Sequence, residues 1–208
     1  TVIMGANQEE YDAVNHNVIS AGSCTTNCIV LAVKVLNDSF GVENGLMSTI
    51  HAYTGDQNLV DNSHKDLRRA RAAALNIIPT SSGAAGAIGE IIPGLKGKID
   101  GFAYRVPTPT VSVVDLVTKL SKTPSSENIN DAFLEAANGD LKGFLYYESS
   151  ELVSSDFKKH SGSAIHDAAS TMAVDGGNLT KTVTWYDNEW GYSCRLIDVA
   201  RLIAIGGL

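Results

Sequence analysis

The sequence predicts an α+β fold, because segments with strand character outnumber helical segments and follow one another in runs. These segments do not alternate regularly with helices, as the strands of a doubly wound parallel sheet would. The 208 residues are 44% hydrophobic and 19% charged, which is an ordinary globular composition. A chain of this length buries enough surface to form one large domain without a disulfide or a structural metal.

Two short apolar segments, residues 1–5 and 16–20, predict strands at the start of the chain. The first helix is predicted from Thr25 to about Phe40, where apolar residues recur at three- and four-residue spacing. Ser23 has the side chain of a helix N-cap, and Gly41 is a residue at which such a helix ends.

A strand is predicted next, over residues 45–53, and a long polar segment follows it to about residue 76. A loop of this length inside a compact domain usually has a function. The remaining predicted elements are, in order, a helical segment over 81–95, strands over 101–107 and 110–120, a helix over 125–139, strands over 144–149, 164–174 and 180–186, and a C-terminal helix with Trp190, Ile197, Ala200, Ile203 and Ala204 on one face.

Composition and charge exclude several classes of function. The formal net charge of −7 provides no overall positive field for nucleic acid, so we expect no nucleic-acid partner. The sequence has no apolar run of about 18 residues, so we expect no membrane association through a spanning helix. The three cysteines are expected to be reduced thiols of a cytoplasmic protein. The chain begins without methionine, in a segment of strand character, and we expect it to be a fragment.

Cys24 raises the main chemical question, because it precedes a predicted helix and is flanked by Ser23, Thr25 and Thr26. Only the thiolate is a useful nucleophile, and a free thiol with a pKa of about 8.5 is a few per cent ionised at neutral pH. The N–H groups and dipole at a helix N-terminus stabilise an anion by about 0.3–1 kcal/mol. The residues alone leave two interpretations, a reactive thiol in an open site or a small buried hydrophobic residue.

A nearby imidazole would supply the remaining stabilisation and a path for the proton. Of the five histidines, His51 is the best placed, since it ends an apolar strand and precedes the long polar loop. His64 lies among charged residues and is expected to be solvated. A strand-end histidine with a purely structural role is the alternative to a catalytic His51. A zinc or redox site at Cys24 and Cys28 is a weaker alternative, because their spacing gives two ligands at most.

Four motifs carry a resemblance to a known family. "SCTTNC", "HAYTGD", "GFAYRVPTPTVSVVDL" and "WYDNEWGYS" occur in this order, and "ALNIIPTSSGAAGAIG" lies among them. Together they resemble glyceraldehyde-3-phosphate dehydrogenases, in a style that looks bacterial. The family's Gly-rich dinucleotide-binding turn has no counterpart here, because "GAAGAIGE" has the wrong spacing. The resemblance is therefore to the catalytic domain without the N-terminal NAD-binding domain.

This resemblance implies a fold and a division of the chain. The expected fold is a large, mostly antiparallel or mixed sheet with helices on one face and a C-terminal helix. Residues 1–22 would be the trailing segment of the dinucleotide-binding domain, residues 23–187 the catalytic domain, and residues 188–208 the C-terminal helix, which in the family packs on the dinucleotide-binding domain.

The resemblance also implies the chemistry of glycolytic aldehyde oxidation. Cys24 would attack the aldehyde of glyceraldehyde 3-phosphate, and His51 would take its proton and lower its pKa as an ion pair. Hydride would pass to NAD, and inorganic phosphate would cleave the resulting thioester. Two residues, Thr54 and Arg105, match the family's positions for the substrate phosphate. The positions for inorganic phosphate are matched by Ser23, Thr25, Ser82 and Gly83, with Arg69. The positions for the cofactor are matched by Asn188 and Tyr192.

Structural alternatives exist for several of these residues. In the competing interpretations, Arg105 is a structural ion-pair residue, and Ser82 and Gly83 are only the start of a helix. Likewise, Arg69 belongs to a solvated or intersubunit face, and Tyr192 is a packing residue. The chain also departs from the family at "SAGS", where S-N-A-S is usual, and at Ser82, where threonine is usual. Ala21 and Gly22 are expected to loosen the geometry of Cys24.

Other functions remain open at this stage. A dehydrogenase for a longer sugar phosphate, such as erythrose 4-phosphate, is one alternative. A non-catalytic module that binds phosphate and assembles with copies of itself is the other. The resemblance implies a homotetramer for the intact enzyme, and NAD binding by these 208 residues alone is expected to be weak or lost.

Overall fold

The computed structural model describes residues 1–206, which form the α+β fold that the sequence predicts. The helices are α1 (Cys24–Phe40), α2 (Ala84–Ile91), α3 (Ser126–Asn138) and α4 (Trp190–Ala204). The strands are β1 (Val42–Ala52), β2 (Ile78–Ser81), β3 (Ile99–Val106), β4 (Ser112–Leu120), β5 (Leu145–Glu148), β6 (Ala164–Asp167), β7 (Met172–Ala173) and β8 (Leu179–Tyr186).

One mixed sheet joins these strands in the order β2-β3-β1-β4-β8-β6-β5, with β7 paired to β8. β1 with β3 and β5 with β6 are parallel pairs, and the other pairs are antiparallel. The expectation of a mostly antiparallel, mixed sheet is confirmed. Residues along β4 alternate between buried and half-buried, which is typical of a strand with one face on the core.

The core lies between the sheet and α1, whose residues from Thr25 to Val33 are all buried. Helices α2 and α3 pack against α1, so one face of the sheet is covered by helices. The N-cap and C-cap of α1 are Ser23 and Gly41, as predicted. This packing fixes the first turn of α1 close to the ends of the central strands.

Three predicted strands are wrong. Residues 1–5 and 16–20 form turns rather than strands, because the only ladder-type hydrogen bond between them in the described chain joins the Val2 N–H to the Ser20 oxygen. The single strand predicted over 164–174 is two strands, β6 and β7. The Asp167 carboxylate accepts the Ser170 N–H at 3.1 Å and caps a 3₁₀ turn between them.

The apolar face predicted for the C-terminal helix is also wrong. Trp190, Ile197 and Ile203 are 49%, 54% and 40% exposed, whereas the buried residues of α4 are Gly191, Arg195, Val199 and Leu202. Val199 and Leu202 pack with Val2 and Ala21 in a small cluster separate from the main core. The predicted division at residues 22 and 187 remains a prediction.

Candidate active site

Cys24 is the first residue of α1, and the cap before it shapes its surroundings. The Ser23 hydroxyl accepts the Thr26 N–H at 3.0 Å, which satisfies one donor of the first turn. The N–H groups of Cys24 and Thr25 are oriented to stabilise a thiolate, and both lower the pKa of the Cys24 thiol. Cys28 lies one turn further along and is fully buried in the core, as predicted.

His51 meets Cys24 at the end of β1. Its ring lies near the end of β1 and is 4% exposed. The distance from Cys24 Sγ to His51 Nε2 is 3.4 Å, which is within hydrogen-bonding reach for sulfur. The structure therefore brings together the thiol and the imidazole that were selected from the sequence. This geometry is that of a nucleophile and its base.

The neighbours of the other ring nitrogen guide the assignment of the His51 tautomer. Nδ1 lies 2.7 Å from the Ala52 carbonyl oxygen, which is an acceptor, and 2.8 Å from Arg105 Nη1, which is a donor. Both hydrogens of Arg105 Nη1 have oxygen acceptors, Ala52 O at 3.0 Å and Thr54 Oγ1 at 3.3 Å. We therefore assign the proton to Nδ1, which donates it to the Ala52 carbonyl, and Nε2 then presents its lone pair to the Cys24 S–H.

The thiolate–imidazolium ion pair expected from the resemblance stays a prediction, and burial of the site opposes it. Burial raises the pKa of the Cys24 thiol, with hydrogen bonds from Thr25 opposing the rise in part. Burial, together with the charge of Arg105, lowers the pKa of His51 to about 4. Both shifts favour the neutral forms, because a buried site penalises charge. These directions favour a neutral thiol that faces a neutral base, with His51 Nε2 3.4 Å from the sulfur.

A row of hydroxyls lies beneath the cysteine. Tyr186 OH is 2.8 Å from both Thr25 Oγ1 and Thr49 Oγ1, and all three residues are at most 5% exposed. Sequence analysis did not select Tyr186 or Thr49. The available signal was their position in the alternation of each strand, where both are polar groups on the side that faces the core. The Thr25 hydroxyl thus bonds to Tyr186 and also lies 4.0 Å from Cys24 Sγ, while the Thr25 backbone N–H faces the thiol.

Arg105 and Thr54 lie on the other side of His51. Arg105 pairs with His51 in the register of β1 and β3, and its Nη1 lies 2.8 Å from His51 Nδ1. Arg105 Nε is buried and has no hydrogen-bond partner among residues 1–206. A buried guanidinium donor without an acceptor, next to a nucleophile, is suited to an incoming anion.

The comparison with known families now bears on this site. Residues 23–188 match the family model described as glyceraldehyde 3-phosphate dehydrogenase, C-terminal domain. The chain belongs to this family. The matched range contains Cys24, His51, Thr54, Arg105 and Asn188, and it begins at the N-cap of α1.

Relatives in the glyceraldehyde 3-phosphate dehydrogenase family match the chain at high identity. Over all 208 of its residues, the chain is 56% identical to glyceraldehyde-3-phosphate dehydrogenase of Priestia megaterium (strain DSM 319 / IMG 1521). Over the same 208 residues it is 54% identical to glyceraldehyde-3-phosphate dehydrogenase 1 of Bacillus subtilis (strain 168). It is 57% identical to the Mycobacterium avium enzyme over 203 residues, 98% of the chain. The chain spans 62% of the first two relatives and 59% of the third.

The remaining residues that match family positions lie at the ends of α2, β8 and α4. Ser82 and Gly83 lie at the start of α2, where the Ser82 hydroxyl accepts the Ala84 N–H at 3.3 Å. Asn188 is 6% exposed and lies at the end of β8, where Ser112 donates a hydrogen bond to its Oδ1 at 3.0 Å. Tyr192 donates to the Gly22 oxygen at 3.2 Å and packs beside the small cluster of α4.

Arg69 has partners within the chain. Its guanidinium pairs with Asp56 and donates to Thr80 Oγ1 at 2.8 Å, and Asp66 lies 3.6 Å from its Nε. The charge of Arg69 also contributes to the lowered pKa of His51, which indicates that it lies near the site. Asp56 would have to give way if Arg69 were to bind a phosphate.

The unusual "SAGS" segment is held by specific contacts. Gly22 has φ +67°, and a Cβ there would lie 2.7 Å from Ile3 Cδ1, so this backbone requires glycine. The Asn27 amide donates to the oxygens of Ala21 and Ser23 at 2.8 and 2.9 Å. The segment before Cys24 is therefore fixed at three successive residues.

Asp187 is a further residue that the sequence analysis did not select. Its buried carboxylate accepts hydrogen bonds from the Thr110 hydroxyl and from the N–H groups of Lys159, Glu189 and Trp190, at 2.8 to 3.2 Å. These bonds tie the start of α4 to the segment that precedes β4. Because Asn188 follows Asp187 directly, the same bonds fix its backbone.

Metal and membrane sites are not found in the described chain. Among residues 1–206, no group of three or more His, Cys, Asp or Glu side chains is arranged to hold a metal ion. The helices in this range include none that is both long and apolar enough to cross a membrane.

Proposed function

We propose that this chain is the catalytic domain of a phosphorylating, NAD-dependent glyceraldehyde-3-phosphate dehydrogenase of glycolysis. The observation that carries the proposal is the 3.4 Å approach of Cys24 Sγ to the unprotonated Nε2 of His51 at a helix N-terminus. The relatives' names support the three-carbon substrate over a longer sugar phosphate such as erythrose 4-phosphate.

In the first step, the Cys24 sulfur bonds to the aldehyde carbon while its proton passes to His51 Nε2. The carbonyl π electrons move to the oxygen, which takes a proton to give a thiohemiacetal. NAD, when bound, supplies the acceptor for the hydride that leaves this carbon. His51 removes the hydroxyl proton in that step, and a thioester on Cys24 results.

In the second step, an oxygen of inorganic phosphate attacks the thioester carbon. The C–S bond breaks, its electron pair returns to Cys24, and an acyl phosphate leaves. The N–H groups of Cys24 and Thr25 stabilise the departing thiolate and offset part of the penalty that burial places on its charge.

Two phosphate positions are proposed beside the cysteine. Arg105 and Thr54 would hold the phosphate of the substrate, a role supported by the buried, unpartnered Nε of Arg105 in the described chain. The group for inorganic phosphate would be Ser23, Thr25, Ser82 and Gly83, with Arg69 after its release from Asp56. Thr25 would contribute its N–H, since its hydroxyl bonds to Tyr186.

Asn188 and Tyr192 are proposed to contact the nicotinamide end of NAD. The fit is good at Asn188, because Oδ1 is held by Ser112 while Nδ2 makes only a long contact of 3.4 Å, with Glu189 Oε1. An amide donor in this orientation suits a carboxamide oxygen. Affinity for whole NAD is proposed to be weak in these 208 residues, and titration calorimetry that gives a micromolar Kd would contradict this.

A cytoplasmic homo-oligomer, a tetramer in the intact enzyme, is proposed as the working form. The support is a group of exposed apolar side chains in and beside the long loop after His51, namely Leu59, Val60, Leu67, Leu75 and Ile77, each at least 68% exposed. Apolar exposure concentrated in one segment of the chain supports an interaction surface there. A chain that only binds phosphate and assembles is the alternative, and the next experiment separates the two.

The test uses the second step in reverse, which requires no NAD. Acetyl phosphate is added to the chain, and mass spectrometry locates any acyl group. The proposal predicts acylation at Cys24 with release of phosphate, no acylation of Cys28 or Cys194, and loss of the label when excess inorganic phosphate is added. A Cys24→Ser variant is the control. A chain that stays unlabelled, or is labelled equally at Cys194, would overturn the proposed function.

A further inference from the structure

Ser112 lies between the two halves of the site. Its side chain is 1% exposed, its Oγ accepts the Ala52 N–H at 3.0 Å, and its hydroxyl donates to Asn188 Oδ1 at 3.0 Å. The ladder between β1 and β4 ends at Ile50 and Val113, so the Ser112 hydroxyl takes the place of the next backbone acceptor. One hydroxyl thus connects the end of β1 to the end of β8.

The direction of these two hydrogen bonds is fixed by their chemistry. A backbone N–H only donates, so Ser112 Oγ must accept from Ala52, and its own hydrogen is then directed to Asn188. The amide of Asn188 is thereby oriented with Oδ1 toward Ser112 and the donor Nδ2 away from it. On the other side, the Ala52 carbonyl accepts the Nδ1–H of His51 at 2.7 Å.

The backbone before Ser112 is strained in a way that serves this placement. Val111 is a buried, β-branched residue with φ +70°, a conformation that such residues rarely adopt. On its other side, Thr110 donates to Asp187 at 3.2 Å. Residues 110 and 112 therefore contact residues 187 and 188 from one strained turn. Strain of this kind persists where the surrounding structure and function require it.

We propose that Ser112 is a positioning residue that holds His51 in its Nδ1–H tautomer and Asn188 with its donor directed into the site. The inference rests on the proposed function and deepens it, because it couples the base that serves Cys24 to the side chain proposed for the nicotinamide. Neither contact places Ser112 on a reacting atom. Its effect passes to His51 through the backbone on either side of the Ala52 Cα, whose N–H bonds to Ser112 and whose carbonyl bonds to His51, and it passes directly to Asn188.

The experiment compares Ser112→Ala with Thr118→Val in the 208-residue chain. Thr118 is the matched control, because it also lies on β4, is 0% exposed and donates or accepts a buried hydroxyl bond, with Thr180 at 2.9 Å. Nitrogen-15 NMR of the His51 ring and of the Asn188 side chain reads the tautomer and the amide environment. The rate of Cys24 acylation by acetyl phosphate reads the consequence.

For Ser112→Ala we expect the His51 ring signals to move toward a tautomer mixture and the Asn188 NH₂ signals to broaden or shift. Acylation should slow about tenfold, a part of the roughly 10²–10⁴-fold that a positioned base contributes. Thr118→Val should retain both signatures and the wild-type rate. Thermal unfolding of both variants measures the loss of stability that they share.

Two results would overturn the inference. One is a Ser112→Ala chain with unchanged ring and amide signals and the wild-type acylation rate. The other is an equal loss of rate in Thr118→Val, which would indicate a general structural effect. Failure of the proposed function is a separate outcome, since the wild-type chain would then show no acylation of Cys24 at all.

Discussion

His166 provides a test of the packing argument away from the site. Its ring is fully buried and stacks on Phe133, with ring centroids 3.8 Å apart and an interplanar angle of 8°. Nε2 lies 2.9 Å from Asn130 Oδ1 and 3.1 Å from Thr171 Oγ1, and Nδ1 is buried without a partner among residues 1–206. Burial lowers the pKa of His166 to about 4, against the opposing charge of Asp167.

The magnitude follows from the difference between the folded and unfolded states. The unfolded chain binds a proton at this residue below pH 6.5, whereas the folded chain does so only near pH 4. Its contribution is therefore fully present above pH 6.5 and is lost as the pH falls from there toward 4. At about 1.36 kcal/mol per pH unit, the loss reaches roughly 2–3 kcal/mol by about pH 4.5.

The assay is urea unfolding at about pH 7.5 and about pH 4.5 for the wild type and for His166→Gln. We expect the drop in unfolding free energy between these pH values to be smaller in the variant by roughly 2–3 kcal/mol. Phe133→Leu removes the stacked ring but keeps the histidine, so it should lower stability at both pH values and retain most of the drop. Equal drops in the wild type and His166→Gln would refute the reasoning.

Three further predictions concern the frame of the site. Asp187→Asn removes the charge from a carboxylate with four donors and should cost about 2–3 kcal/mol of unfolding free energy; thermal unfolding measures it, and an unchanged Tm would contradict the role of these bonds. Tyr186→Phe leaves two buried hydroxyls without their partner and should cost about 1–3 kcal/mol in urea unfolding, a prediction that fails if the midpoint is unchanged. Gly101→Ala would place a Cβ 2.1 Å from the Met47 oxygen and should abolish soluble expression, whereas Gly55→Ala, with open space around it, should express normally; equal yields would contradict the close strand approach.

The sequence was informative where local chemistry decides the structure. Helix α1 has its cap at Ser23, an apolar stripe of the right period and a terminating Gly41, and all three act within a few residues. Cys24 and His51 were selected because one begins a helix and the other ends a strand. That the two face each other at 3.4 Å depends on α1 packing on β1, which is a tertiary fact.

What the sequence did not indicate depends on partners distant along the chain. Strand character at residues 1–5 and 16–20 gives no strand without a ladder to join. The burial of one face of α4 is set by its contacts with the N-terminal segment rather than by its most apolar stripe. Ser112 and Tyr186 were missed because the neighbouring residues in an alternating strand do not mark a hydroxyl as functional. Only the core-facing position of each residue in its strand distinguishes it.

The most direct test of the Cys24–His51 pair is the rate of alkylation by iodoacetamide across pH, read at each cysteine by mass spectrometry. Wild-type Cys24 should react faster than Cys28. Its pH profile should show no thiolate forming well below the pKa of an ordinary thiol, because burial raises the pKa of the Cys24 thiol. His51→Gln should slow Cys24 by at least about tenfold near neutral pH. Superimposable profiles for the two proteins would contradict the account, as would a thiolate that persists into the acid range.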